Sequence, residues 1–429
     1  MRVIYKTFGC KTNQYDTERM RQESEARGAV TVESSEEFDV CVVNTCTVTN
    51  VADAEARKFI RKIGKEHPEA QIVVAGCSAA LRGREYREMK QVNTVVEGHD
   101  PVEVSLGVVG RPELVQIDGL ENQRRDTNSL VGEAFLDRRR SATRGWLKIQ
   151  DGCDRKCSFC ATRLARGRSQ SRKREEIITE AVVLSDHHPE IVLTGVHIGH
   201  YGKDLECQTN LTELLEALLT RVPETRFRLG SIEATEIEDS LLYLVNSSEG
   251  RIAPHFHMPL QSGADPVLRK MRRWHTREEY RIRALNIAEK FPYVGLGADI
   301  ITGFPGEQDE DHLETVRLVE ELPYTYLHVF PFSAKDDTVA SRLLDSVPRQ
   351  LSRERGLQLR EIADNKNVEY RNFRSGGLSS VTLERNGSTG ITEDYLRVQV
   401  SGSEGMSREK LHRGVLRGKG KELHVVFDN

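Results

Sequence analysis

The sequence lacks any run approaching the ~18 apolar residues that a membrane-spanning helix needs, and no membrane partner is expected. Its start, MRVIYKTFGCK, lacks the apolar core of a signal peptide and reads as a first strand. A cytoplasmic location is therefore the expectation. Strong net charge is also missing: −4 over 429 residues favours neither an anionic nor a cationic partner. Eight cysteines are present, but a reducing compartment excludes a disulfide framework and leaves core packing, metal binding or redox chemistry. The most telling absence is local. The stretch GCDRKCSFC sets Cys153, Cys157 and Cys160 at C-x3-C-x2-C spacing, with no fourth cysteine or histidine nearby. Structural zinc closes four protein ligands, usually from well-separated cysteine pairs, and this spacing fits that poorly. Three thiolates can instead hold an iron–sulfur cluster and leave one iron open to a small molecule, much as catalytic zinc keeps one position open.

What is present is a chain of about three domains' length. RVIYKTFGC, DVCVVNTC and QIVVAGC are short β-branched runs, and VADAEARKFIRKIGKEHP between the last two has helical periodicity. This predicts a parallel α/β sheet over residues 1–110, with VNTVVEG as a further strand. The three runs end in Cys10, Cys46 and Cys77, spaced 36 and 31 residues apart. The carboxyl ends of parallel strands share one edge, where ligands bind, so these cysteines are expected to converge on a metal or cluster. Cys41, inside DVCVV, reads as core, and Cys207, in a polar loop, as a bystander. Residues 111–140 read as a linker. Six strand-like runs follow in 141–368 (WLKIQDGC, EIVLTGVHIG, RFRLGSIE, HFHMPLQSG, VGLGADIITGFPGE and YTYLHVFPFS), with amphipathic helices between them. They predict a full or partial (β/α)6 barrel with its working residues at the strands' C-terminal ends. Residues 369–429 give short strands separated by Gly, Ser and Asn, a small antiparallel β-barrel whose last hairpin carries Arg413, Arg417, Lys419 and Lys421. From Asp137 to Arg174, 13 Lys/Arg stand against 3 Asp. A charge run is ordinarily a solvated face; because this one brackets the cysteine loop, a polyanion arriving there is the better reading.

The spacing of Cys153, Cys157 and Cys160, with Phe159 before the last, resembles the radical S-adenosylmethionine (SAM) superfamily. TFGCKTNQYDTE, VNTCTVTNVADAEARKFIRK and VVAGC are similar to the N-terminal domain of its methylthiotransferases. LTGVHIGHYG, HFHMPLQSGADPVLRKMRR and ADIITGFPGE resemble that family's core, and the last sixty or so residues its RNA-binding TRAM barrel. The resemblance covers essentially the whole chain. It implies two 4Fe–4S clusters, one on Cys153, Cys157 and Cys160 that cleaves SAM, and one on Cys10, Cys46 and Cys77. It also implies SAM as methyl donor and radical source, an external flavodoxin- or ferredoxin-type electron donor, and a sulfur source. The family replaces an unactivated C–H by a methylthio group, chemistry that a general base cannot initiate and that the cofactor supplies. Three branches differ in substrate: threonylcarbamoyladenosine beside the tRNA anticodon, isopentenyladenosine there, or a ribosomal protein aspartate. GCKTNQYDTE, NTCTVTN and ARGRSQSR favour the first. ATRLARG, FPFSAKDDT and RRWHT depart from the usual pattern and bear on substrate rather than on cofactor chemistry.

Phe159, Gly195, Glu233 and Gln261 are the candidates for SAM contact, and Arg166, Arg168 and Arg172 for tRNA phosphates. His255 and His257 alternate in a strand and read as network residues, while His197 is left open. Asp299 and Glu307 are expected either to pair with basic helices or to shape the pocket. A zinc-stapled RNA-binding protein would also explain cysteines, basic run and barrel, but it predicts a colourless protein without iron.

Overall fold

The computed structural model describes residues 1–48, 50–110, 135–139 and 142–427, so most of the expected linker 111–140 lies outside the described residues. The chain divides into two compact units, Met1–Asp137 with Ala161–Arg168, and Arg138–Cys160 with Ser169–Asn429.

In the first unit, β1 (Arg2–Thr7), β2 (Val30–Thr31), β3 (Val40–Thr45), β4 (Gln71–Gly76) and β5 (Thr94–Val95) form one parallel sheet ordered β2-β1-β3-β4-β5. This is the flavodoxin-like doubly wound order. Period-two alternation divides β3 between two cores. Val40 and Val42 join Val3, Met20, Val73 and Val104 on one face, whereas Cys41 and Val43 join Ile4, Ile60, Ile72 and Tyr86 on the other. Helices α1 (Lys11–Ala26), α2 (Asn50–Glu66), α3 (Cys77–Arg87) and α4 (Pro101–Val109) cover the sheet. Helices α1 and α4 supply Met20 and Val104 to the first face, α2 and α3 supply Ile60 and Tyr86 to the second. A short helix α5 (Thr162–Arg166) packs on α3. The strand expected in VNTVVEG is only the two residues of β5, and β2 carries no pattern long enough to read.

In the second unit β6 (Gly145–Lys148) is followed by a ribbon of β7 (Gln150–Asp151) and β8 (Gln170–Ser171). β9 (Glu190–Thr194), β10 (Arg226–Leu229), β11 (His255–His257), β12 (Gly295–Thr302) and β13 (Tyr326–Pro331) complete the expected set. Parallel pairing runs through β6-β9-β10 and β11-β12-β13. Parallel bridges Phe227–Ile252 and Ser231–His257 join the halves into a partial barrel. Helices α6 (Arg174–Ser185), α7 (Leu211–Arg221), α8 (Asp239–Ser247), α9 (Asp265–Lys270), α10 (Arg277–Lys290) and α11 (Asp309–Glu321) alternate with these strands. The long helix α12 (Arg349–Arg374) then runs past the expected domain edge at residue 368.

The C-terminal barrel closes as β14-β15-β16-β18-β17, from β14 (Leu378–Leu383), β15 (Thr389–Thr392), β16 (Arg397–Ser401), β17 (Leu411–Arg417) and β18 (His424–Val426). Four of its five pairings are antiparallel, and β16 and β18 pair in parallel. The barrel docks on the N-terminal ends of β9 and β10 through a buried charge cluster. Glu190 pairs with Arg226 at 2.6 Å and Arg228 at 2.8 Å, and both guanidiniums reach barrel backbone at Ser380 and Glu393. Burial opposes a charged Glu190, but Arg228 and Arg226 outweigh it and hold its carboxyl well below the usual range.

Candidate functional site

In the first unit the ends of β1, β3 and β4 are neighbours, with Thr7 opposite Asn44 and Thr45 opposite Gly76. Cys10, Cys46 and Cys77 follow those ends, so three residues distant in sequence meet on one edge. Two glycines with positive φ make the approach possible, Gly9 at +106° and Gly76 at +96°. A Cβ on Gly9 would lie 2.6 Å from Cys46 Sγ, and one on Gly76 would collide with Asn44 Oδ1. The Cys77 thiol is pushed up to about 12, chiefly by burial; Arg166 opposes this, while Cys10 and Cys46 add to it.

Asn13 ties the edge together. Its Nδ2 donates to Phe8 O and Thr45 O, both at 2.9 Å. Its Oδ1 accepts from Arg166 Nη2 at 2.6 Å, and Arg166 also pairs with Asp16 at 2.7 Å. Two N–H groups point at sulfur: Val48 N to Cys46 Sγ at 3.3 Å and Arg166 Nε to Cys77 Sγ at 3.1 Å. A neutral thiol is a weak acceptor, so such donors fit metal-bound thiolates better. Cys41 lies in the sheet core and Cys207 is exposed, so neither of the two remaining cysteines joins the set. The residues fit a cluster held by three protein ligands.

The second unit builds its site from one loop. Ser158 pins it, donating from N to Met271 O at 3.0 Å and from Oγ to Lys270 O at 2.7 Å. Phe159 is half-buried and packs edge-on to Phe304, 6.4 Å between centroids, against Ala264, Val267 and Met271. It therefore anchors the loop. Sulfur again receives N–H donors, from Arg155 N to Cys153 at 3.4 Å and Arg273 Nη1 to Cys157 at 3.8 Å. Burial pushes the Cys153 thiol up to about 11 and raises that of Cys157, each further raised by the neighbouring cysteines. This donor set also fits a three-ligand cluster.

The strand ends around it bring several predicted residues together. Glu233 pairs with Arg273, the donor to Cys157. Burial raises the Glu233 carboxyl, against the lowering by Arg273. Gly195 leaves no room for a side chain, because a Cβ would sit 2.8 Å from Gln150 O. Gln261 holds a left-handed backbone, φ +71°, while its N–H donates to Asp299 O at 2.8 Å; such strain in a non-glycine residue is concentrated at functional sites. His197 lies 3.7 Å from Cys153 Sγ through Nδ1 and pairs with Glu236 through Nε2 at 2.9 Å. His255 and His257 both bond Tyr326 Oη, at 2.8 and 3.0 Å, as network residues should. Asp299 pairs with His257 and His328, and Glu307 with Arg355 of α12 at 3.0 Å.

Sequence reasoning missed Gln150. Its Oε1 accepts from Val196 N at 3.1 Å and His197 N at 2.7 Å, and its Nε2 donates to Gly152 O at 2.8 Å. It thereby clamps the Gly195 turn to the cysteine loop. A polar residue ending an apolar strand two positions before a glycine-cysteine pair was the available signal. Trp274 was missed as well; Arg155 and Arg273 stack on it at 4.0 and 4.1 Å.

The three arginines differ in exposure. Arg166 and Arg172 are each 8% exposed. Arg166 is committed to Asp16, Asn13 and Cys77, and Arg172 to Glu180 at 2.7 Å and Lys148 O at 2.8 Å. A guanidinium already desolvated and paired is costlier to bring to a phosphate than an exposed one, so Arg166 and Arg172 stand less open than Arg168 to the RNA contact expected of all three. Arg168 is exposed.

Residues 2–98 match Uncharacterized protein family UPF0004, and residues 147–319 the Radical SAM superfamily. The chain is 37% identical to the threonylcarbamoyladenosine tRNA methylthiotransferase MtaB of Bacillus subtilis (strain 168), covering 99% of this chain and 97% of that protein. It is 34% identical to the protein of the same name from Aquifex aeolicus (strain VF5), over 94% and 97%. Among solved structures, the radical S-adenosylmethionine methyltransferase TsrM of Kitasatospora setae aligns over 79% of this chain and 77% of its own, with TM-score 0.57 at 14% identity. That likeness is one of fold.

Proposed function

The chain belongs to the methylthiotransferase family of radical SAM enzymes, and from that premise we propose that it adds a methylthio group at C2 of threonylcarbamoyladenosine beside the tRNA anticodon. The observation that carries this reading is the pair of separate three-cysteine sites, each with N–H donors on sulfur. Near full-length likeness to two proteins named for that nucleoside supports the substrate.

Cys153, Cys157 and Cys160 would hold the SAM-cleaving 4Fe–4S cluster, and Cys10, Cys46 and Cys77 the second. When bound, the clusters and SAM supply radical hydrogen abstraction, sulfur delivery and methyl transfer. The chain's own task is positional. Ser158 and Phe159 fix the cysteine loop, Gln150 holds the Gly195 turn against it, and the Glu233–Arg273 pair presents an N–H to Cys157. Gly195, Glu233 and Gln261, at strand ends, would contact SAM. On the same reading residues 1–110, 141–368 and 369–429 are the sulfur-carrying, radical and RNA-binding parts. Exposed Arg413, Arg417, Lys419 and Lys421 on the barrel, with Arg168, suit an RNA backbone. The enzyme would work in the cytoplasm with an external electron donor and sulfur source.

Nucleoside mass spectrometry tests the proposal. The enzyme, reconstituted without oxygen, is incubated with SAM, a reductant and tRNA carrying threonylcarbamoyladenosine. A nucleoside heavier by one methylthio group is expected. Product only with isopentenylated tRNA, or only with ribosomal protein, would move the chain to a sister branch.

A further inference from the structure

Arg166 follows Cys160 by six residues, within a run of cations. Its side chain is nonetheless withdrawn from solvent, at 1% exposure, beside an Asp16 side chain at 2%. Burying a guanidinium is costly unless its donors are matched. Here they are matched on three sides: Asp16 Oδ2 at 2.7 Å, Asn13 Oδ1 at 2.6 Å and Cys77 Sγ at 3.1 Å. Asp16 and Asn13 lie on α1, and Asn13 itself spans the ends of β1 and β3. The planar fork is thus held so that Nε, the donor nearest its stem, has Cys77 as its partner. Gly167, at φ +77°, ends α5 directly after it.

Resting on the assignment of Cys10, Cys46 and Cys77 to a cluster, we infer that Arg166 is a positioning residue for that cluster, whose Nε–H sets its reduction potential. The physical reason is charge. A reduced cluster carries one more negative charge than an oxidised one, and part of it resides on the cysteine sulfurs. A cationic N–H donor at one sulfur stabilises the reduced form more, and so raises the potential. Asp16 offsets part of the guanidinium's field, leaving the directed hydrogen bond as the distinguishing element. Arg166 is then a ligand's partner rather than a contact for phosphate.

The test uses the full-length chain carrying Cys153→Ala, Cys157→Ala and Cys160→Ala, reconstituted so that only the second cluster forms. About four irons per chain establish that Cys10, Cys46 and Cys77 hold a cluster. No bound iron sinks that assignment and this inference with it. In the same background, Arg166→Lys keeps a cation near Asp16 but removes the Nε–H, and Asp16→Asn keeps the donor but removes the counter-charge. EPR-monitored titration with dithionite should show a potential lowered by Arg166→Lys and raised by Asp16→Asn. If both variants keep their iron and the parent potential, Arg166 is only a structural cation. If Arg166→Lys cannot hold iron, an unchanged or lowered potential in Asp16→Asn overturns the inference, and a raised one upholds it.

Discussion

The two cysteine sets reach one arrangement by opposite routes. In the first unit, Cys10, Cys46 and Cys77 come from three strand ends, and their proximity is a property of the sheet. In the second, Cys153, Cys157 and Cys160 share a single loop, and their proximity is a property of local sequence. The dispersed set is therefore only as good as the register of β1, β3 and β4 and the two left-handed glycines that let the chain turn there. The compact set needs instead to be held still, which Ser158, Phe159 and Gln150 do from elsewhere in the fold. A dispersed site is specified by the whole domain, and a compact one by its clamps.

The largest effect should come from breaking each set in turn. Cys157→Ala should abolish 5′-deoxyadenosine formation, measured by chromatography after incubation with SAM and dithionite. Cys77→Ala should leave that formation measurable while the thiomethylated nucleoside disappears. Retained SAM cleavage in Cys157→Ala, or normal product from Cys77→Ala, would interchange or dissolve the two roles.

How much of this was legible follows the same division. The compact set could be read directly, because spacing alone defines it. The dispersed set could be read because βαβ periodicity fixes strand direction, and direction fixes which ends share an edge. All six strands of the partial barrel were visible as apolar runs. The two-residue strands β2 and β5 were not, since they are held by neighbouring backbone rather than by a pattern. The burial of Arg166 was not legible, because a run of cations reports composition, whereas burial depends on Asp16 and Asn13 some 150 residues away. The Glu190 cluster has a trace in the sequence: RFR puts two arginines on the same side of a strand whose every residue is buried.

A smaller effect distinguishes the units by pH. His188, in the second unit, is buried beside the start of β6; its Nε2 accepts from Arg139 N at 2.9 Å and its Nδ1 faces Thr143 O at 2.7 Å. That pairing leaves no place for a second ring proton. Burial lowers its pKa to about 4. A depressed histidine contributes stability that is full above about pH 6.5 and lost as pH falls through about 4. The loss should reach ~3 kcal/mol at the acid end. Both tryptophans, Trp146 and Trp274, belong to this unit, so tryptophan fluorescence during urea unfolding of the cluster-free chain reads it selectively. His188→Gln, which can reproduce both hydrogen bonds without titrating, should flatten part of the decline between pH 6.5 and 4. Identical slopes for the two proteins would show that His188 does not carry it.

The smallest effect separates two arginines that the sequence presents alike. Arg166 is buried and bonds Asp16, Asn13 and Cys77, whereas Arg168, two residues on, is exposed. Substituting an exposed cation with no structural role should change stability by no more than about 0.5 kcal/mol. If Arg168 meets a phosphate, Arg168→Ala should weaken tRNA binding similarly for every tRNA tried and lower the slope of log affinity against log salt by about 1. Filter binding across a salt series measures this. An unchanged slope would remove Arg168 from the RNA footprint and leave the barrel's basic hairpin as the phosphate-binding surface. Arg166→Ala should behave oppositely, because it takes a cationic partner from the buried Asp16 carboxylate: the chain loses stability in the first unit, and any loss of binding tracks unfolding rather than salt.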